Sequence, residues 1–248
     1  MDNILEIRHL KKIYHTKDGE TLAVKDFSLD LKEGDFVAIV GPSGCGKSTI
    51  LSVLCGLEDK SDGEIILKDG IKLGYMLQQD SLFEWRNVLS NCLLGPEINK
   101  RLNEETKEYV INLLNTYGLK DFIYSYPDNL SGGMRQRAAL IRTLANKPSL
   151  LLLDEPFSAL DYQSRVAISD DIHNILRKEK KTMIMVTHDI AEAISMCDKV
   201  IVLSGRPATI KSIYNIELDN RSTPINNRKD KNFSYYYDAI WKDIDFHV

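Results

Sequence analysis

No stretch of this 248-residue chain is apolar enough to cross a bilayer. The longest purely aliphatic run is the set of leucines at 150–153, against the ~20 residues that a membrane helix requires. If the chain works at a membrane, other subunits must hold it there. Met1-Asp2-Asn3-Ile4 lacks the basic stretch and apolar run of a secretion signal, so none is expected. Cys45, Cys55, Cys92 and Cys197 never form a Cys-x-x-Cys pair. That argues against a metal cluster or a disulfide framework, and for reduced thiols. Positive charge is not in excess either. Lys and Arg number 32 against 36 Asp and Glu, a net −4 with a pI near 5.8, which offers nucleic acid no basic footprint. Internal repeats and long low-complexity tracts are also missing.

What is present is the composition of an ordinary globular chain, 43% hydrophobic and 27% charged, which excludes wholesale disorder. Residues 4–10 and 22–31 alternate between turn signals (Lys17-Asp18-Gly19, Glu33-Gly34) and predict strands of a largely antiparallel sheet. Residues 36–40 form a short apolar run ending at Gly41, the pattern of a buried parallel strand. A helix over 47–57 and strands over 63–67 and 73–77 follow. From 87 to 146 the pattern turns helical, with helices over 88–98, 104–117 and 131–146. Val110, Leu113, Leu114 and Tyr117 share one face, and Ser131 suits an N-cap. Strand and helix then alternate: strand 150–153, helix 162–180 with Ile168, Ile172, Ile175 and Leu176 facing inward, strand 182–186, helix 190–196, strand 199–203. Such alternation implies a mainly parallel sheet. The chain therefore reads as a single α/β domain over 1–248. A core (1–86 and 147–215) is interrupted by a helical insertion (87–146) and followed by a tail (216–248), polar at first and aromatic over 233–241.

Gly41-Pro42-Ser43-Gly44-Cys45-Gly46-Lys47-Ser48 matches G-x-x-x-x-G-K-[ST] and falls between an expected strand and an expected helix. The glycines let backbone N–H groups converge on phosphates, and the helix start adds partial positive charge. Lys47 would reach the β- and γ-phosphates, and Ser48 would offer its hydroxyl to Mg²⁺. Asp154-Glu155 ends a buried strand at the carboxyl edge of the sheet, where ligands bind in such folds. Asp154 suits Mg²⁺, which takes few protein oxygens and keeps its waters; Glu155 suits an attacking water. Cys45 sits beside Lys47 and a helix N-terminus, two features that favour a thiolate, although a small inert filler is the ordinary role for such a residue.

Further segments carry a resemblance. Leu130-Ser131-Gly132-Gly133-Met134-Arg135-Gln136-Arg137 resembles the signature of ATP-binding cassette (ABC) ATPases. Gln78 looks like that family's Q-loop glutamine, Ser158-Ala159-Leu160-Asp161 its D-loop, His188 its switch histidine and Tyr14 the aromatic that stacks on adenine. The resemblance spans residues 14–188. It implies a P-loop NTPase core with an antiparallel β subdomain and an inserted helical subdomain, and ATP and Mg²⁺ as cofactors. Glu155, His188 and Gln78 would serve hydrolysis, and Ser48, Gln78 and Asp154 the metal. Nucleotide would be held by Tyr14, Gly41, Pro42, Ser43, Gly44, Cys45, Gly46, Lys47, Ser48 and Thr49. Ser131, Gly132, Gly133 and Asp161 would complete the site of a second copy, two chains sandwiching two ATP molecules. One departure is Met134, where the signature commonly has Gln; a thioether is at best a weak acceptor.

Within the family, Leu82-Phe83-Glu84-Trp85-Arg86, Met134 and Ser204-Gly205-Arg206-Pro207 resemble the importer group for nitrate, sulfonates and taurine, which also includes carriers of thiamine-precursor pyrimidines. That group usually has Pro where Glu84 stands. The resemblance implies a subunit bound peripherally at the cytoplasmic face of the cell membrane through two permease subunits. A solute-binding protein would be served indirectly, and nucleic acid would not be a partner. An exporter's ATPase subunit and a soluble, non-transport ABC ATPase are the rival readings. Leu82, Phe83 and Trp85 either pack the junction between core and insertion or form a groove for a short permease helix.

Overall fold

The computed structural model describes residues 3–17, 19–158 and 160–244. Asp18 of the expected turn and Ala159 of the Ser158-to-Asp161 segment lie outside the described residues. A long hairpin opens the chain, β1 (Asn3–Thr16) against β2 (Gly19–Lys32), antiparallel, with β4 (Asp62–Leu67) on the other side of β1. Both strands of the hairpin run further than their hydrophobic alternation suggests, because their outer halves pair with each other as far as Thr16 and Gly19.

The parallel strands are β3 (Phe36–Val40), β5 (Leu73–Met76), β6 (Leu150–Asp154), β7 (Thr182–Val186) and β8 (Lys199–Leu203). Ala208–Asn215 forms β9, antiparallel to β8 and parallel to β2. The order across the sheet is β4–β1–β2–β9–β8–β3–β7–β6–β5. The apolar runs of β3 and β6 follow from burial on both faces. Phe36, Ala38, Val40, Leu151 and Leu153 belong to one hydrophobic cluster, and Val37, Ile39, Leu150 and Leu152 to another on the opposite face. Each of these leucines is fully buried, a contribution of ~1.5–3 kcal/mol apiece.

Helix α1 (Lys47–Leu54) follows β3. Between β5 and β6 stand α2 (Val88–Cys92), α3 (Leu94–Ile98), α4 (Glu104–Thr116) and α5 (Gly132–Leu144). The single helix expected over 88–98 is two. Pro96 has no N–H to continue the ladder from Cys92, but it is tolerated in the first turn of a new helix, and α3 begins at Leu94. Helix α6 (Tyr162–Lys178) and α7 (Ile190–Met196) flank β7 in sequence. Ile168, Ile172 and Leu176 are buried and Ile175 is partly so. In the tail, α8 (Pro224–Asn227) packs on α6 and α7, and α9 (Phe233–Asp243) lies against α7 and β9. The aromatic stretch is thus a helix: Phe233, Tyr236, Tyr237, Ile240 and Ile244 recur at helical spacing and pack on the core. No helix among the described residues is long and apolar enough to span a membrane.

Candidate functional site

A cleft of about 850 Å³ opens at the carboxyl edge of β3, β6 and β7, lined by residues 41–44 and 46–49 of the glycine-rich loop together with Gln78, Glu155 and His188, while the expected Cys45 is buried out of it. The loop is shaped by its glycines. Gly46, at φ 121°, is the residue from which α1 starts, and a Cβ there would meet the Ala23 carbonyl at 3.0 Å. Lys47 is buried, and its Nζ donates to the Gly41 and Pro42 carbonyls at 2.8 and 2.9 Å. An ammonium has three donors, so one N–H is left for an anion cradled by the loop. Cys45 corrects the thiolate expectation. Its thiol is 1% exposed and burial pushes its pKa up, outweighing the charge of Lys47.

Ser48 Oγ donates to Asp154 Oδ1 at 3.0 Å. Asp154 is buried at the end of β6, and desolvation raises its pKa despite the Ser48 bond and the nearby lysine. A buried carboxylate that is costly to ionise beside a hydroxyl and a phosphate loop fits a divalent cation, whose charge would repay the desolvation. The donors are hard oxygens of the kind Mg²⁺ takes, few in number. No cluster of three or more His, Cys, Asp or Glu among the described residues forms a cage of its own, so phosphate oxygens and water would complete the shell.

Glu155 is held in an unusual backbone state, φ 47°, which costs a non-glycine residue on the order of 1–3 kcal/mol. The surroundings over-determine it. Its N–H donates to the Val186 carbonyl at 2.9 Å, while its own carbonyl accepts from Gln136 Nε2 at 3.1 Å and from both Ser158 N–H and Oγ. The twist turns the side chain toward β5 and β7. Gln78 Nε2 donates to Glu155 Oε2 at 3.3 Å, and His188 Nδ1 lies 3.3 Å from the same oxygen. Oε1 has no hydrogen-bond partner among the described residues. Two segments far apart in sequence, after β5 and after β7, therefore converge on one carboxylate at the cleft.

Other expected residues lie elsewhere. Ser131 caps α5, its Oγ accepting from Met134 N–H at 3.3 Å, and Ser131 and Gly132 are exposed. Met134 is partly buried and packs on the core. Asp161 caps α6 through Ser164 N–H; those hydrogen bonds lower its pKa. None of Ser131, Gly132, Gly133 or Asp161 lines the cleft. Tyr14 does not line it either: its half-buried ring takes the Lys12 ammonium at 4.7 Å. Gln136 and Arg206 stand in segments that carry the resemblance but without an expected role at the site, and Ile244 in none; yet the first fixes Glu155 and the other two line the cleft.

The loop after Gln78 is partly buried and partly exposed. Leu82 is buried in the core, while Trp85 is 75% exposed and stacked on Phe83 at 4.7 Å. Asn91 fixes the loop, accepting from Phe83 N–H and donating to the Phe83, Arg86 and Asn87 carbonyls. Glu84, the departure from Pro, pairs with Arg135 of α5 at 2.7 Å, and Arg135 also holds Asp80 at 2.9 Å.

A family model described as ABC transporter matches residues 24–158. An uncharacterized ABC transporter ATP-binding protein of Bacillus subtilis, YtlC, is 43% identical over 98% of this chain and 96% of its own length. The aliphatic sulfonates import ATP-binding protein SsuB of Bacillus thuringiensis is 37% identical over 90% of this chain and 88% of its own. Among solved structures, the ATP-binding cassette MJ0796 in a dimeric post-hydrolysis state with ADP and Pi superposes with a TM-score of 0.77 at 29% identity, covering 86% of this chain and 99% of that one. The cbiO1 subunit of Clostridium perfringens, part of the transporter complex cbiONQ, gives 0.74 at 27% identity over 87% and 89%.

Proposed function

The chain belongs to the ABC transporter family, and from that footing we propose that this ATPase drives a solute importer, as a sandwich dimer bound to two permease subunits. The solute class is that of the SsuB-containing group, a small sulfonate or nitrate-like anion or a thiamine-precursor-like pyrimidine. The 37% identity to SsuB supports this, as does the Leu82–Arg86 loop with its exposed Trp85. The dimeric MJ0796 cassette supports the sandwich. Ser131, Gly132 and Asp161, away from this chain's own cleft, are then free to serve the partner's.

In the hydrolysis step, Lys47 and the loop N–H groups hold the β- and γ-phosphates in line. Ser48, Asp154 and Gln78 would hold Mg²⁺, which when bound would supply positive charge against the phosphate oxygens. Glu155 takes the proton of the attacking water on Oε1 while Gln78 and His188 fix the orientation of the carboxylate through Oε2. His188, 61% exposed at its side chain, also faces the γ-phosphate and donates to it. The convergence of Gln78 and His188 on Glu155 is the observation that carries this reading.

Glu155→Gln keeps the shape and removes the base. ATP binding should persist while hydrolysis falls by about 10²–10⁴-fold, and an ATP-bound dimer should accumulate on size-exclusion chromatography. Turnover within tenfold of the parent would remove Glu155 from the chemistry.

A further inference from the structure

One wall of the phosphate cleft is made by residues to which the resemblance gives no role in nucleotide binding. Arg206 stands on the loop between β8 and β9, and Ile244 directly follows α9; both line the cleft with the phosphate loop. The β8 end rises beside the start of that loop, since a Cβ on Gly41 would meet the Leu203 carbonyl at 3.1 Å. Ser204 braces the turn. Its N–H donates to the Thr209 carbonyl at 2.9 Å, and its Oγ accepts from Thr209 N–H at 3.0 Å and donates to backbone carbonyls of Gly205 and Pro207. On this braced turn the Arg206 side chain is exposed, with no hydrogen-bond or ion-pair partner among the described residues.

Ile244 is delivered by a helix fastened at both ends. At its start, Glu217 N–H donates to Tyr236 Oη at 3.1 Å. At its finish, the Asp243 carboxylate accepts from Ser212 Oγ and Tyr214 Oη at 2.5 and 2.6 Å, and its carbonyl accepts from Lys211 Nζ at 2.7 Å. Ile240, between these points, and Ile244, just past the second, are buried. Helix α9 therefore runs back along β9 and ends at the nucleotide edge of the sheet.

A planar, permanently charged guanidinium without a partner, in the same cleft as an anion-binding loop, is matched to a phosphate oxygen. We propose that Arg206 is a nucleotide-binding residue, and that the docked C-terminal helix completes its wall, so that nucleotide binding and helix docking stabilise each other. The reciprocity is obligatory once either affects the other. The inference rests on the reading of this cleft as the ATP site, and the test separates the two.

The measurement is MgADP affinity of the full-length chain by titration calorimetry, with amide hydrogen exchange over residues 233–244. Arg206→Ala should raise Kd by about five- to tenfold, the size of an ordinary net hydrogen bond, since the side chain is solvent-exposed, and Arg206→Lys should recover part of the loss. Asp243→Ala should raise Kd by about threefold through loss of the helix anchor, and saturating MgADP should slow exchange across α9 in the parent. An Arg206→Ala affinity within twofold of the parent, alongside lost binding in Lys47→Ala, would overturn the role of Arg206 and leave the ATP site standing. Full binding in Lys47→Ala would overturn both. Exchange in α9 that ignores MgADP would overturn the role of the tail.

Discussion

Glu192, four residues beyond His188, is sealed from solvent at 2% exposure. Its carboxylate accepts from the Thr187 hydroxyl, and its N–H donates to Asp189, the N-cap of α7. Asp189 in turn pairs with Arg165, and Arg228 of the tail also faces the carboxyl. Burial pushes the Glu192 carboxyl up to about 7, against the Thr187 bond and the two arginines. The folded state thus holds a proton that the unfolded chain gives up near the ordinary carboxylate value. This contribution to stability is complete below that value and is lost as pH rises through about 7. Glu192→Gln mimics the protonated form. By thermal melting it should match the parent near pH 5 and melt a few degrees higher by pH 8; parallel curves would place the proton elsewhere. The segment that carries His188 is thereby tied to the pH at which the chain is handled. Nothing in the sequence marks Glu192 as special. An acid three residues after Asp189 reads as a capping pair, and only the covering of α7 by the tail makes it a titrating group near neutrality.

Helix α5 shows what an element does that its residues do not show singly. Ser131 caps its start, while Arg135 reaches across to Asp80 and Glu84 and Arg142 donates to the Asp80 and Ser81 carbonyls, so the whole helix grips the loop after Gln78. In the proposed dimer the start of α5 faces the partner's nucleotide. Ser131→Arg should leave ATP binding through Lys47 intact and abolish ATP-driven dimerisation, seen by light scattering; dimers formed normally would rule out the sandwich. Ser131→Ala, which removes only the cap, should cost about 0.5–2 kcal/mol of stability. Elements with a strong period were legible: β3 and β6 through their unbroken apolar runs, and α4 through Val110, Leu113, Leu114 and Tyr117, all buried. The cleft residues were legible as motifs, because backbone-cradled phosphate demands a fixed glycine spacing. Less was legible where side chains meet across distance. Glu84 and Arg135 are 51 residues apart, and no local pattern links them. Strand β9 was hidden because its residues alternate only between half-buried and exposed after Ala208. Helix α9 was hidden because three of its inward positions are aromatic, Phe233, Tyr236 and Tyr237, and aromatic residues lack strong helix propensity.

At the scale of the whole molecule, the exposed aromatic surface beside the helical insertion and the nucleotide cleft are joined by one short loop, from Gln78 to Arg86. Trp85→Ala should leave the isolated subunit folded, with an unchanged melting temperature and unchanged MgADP affinity, because 75% of Trp85 is already in water. In a reconstituted transporter it should weaken permease assembly or uncouple uptake from hydrolysis; a fully coupled transporter would move the docking surface elsewhere. The order of the sheet has a further consequence, for synthesis. Strand β9 sits between β2 and β8, yet it is the last strand in sequence. While the ribosome has delivered everything up to Arg206, each ATP motif is already made, but the early hairpin and the parallel sheet both present open edges. A nonsense codon just ahead of Ala208 would yield no weakened ATPase. It would yield a chain with two unsealed strand edges and no tail to cover α7, a substrate for chaperones and proteases.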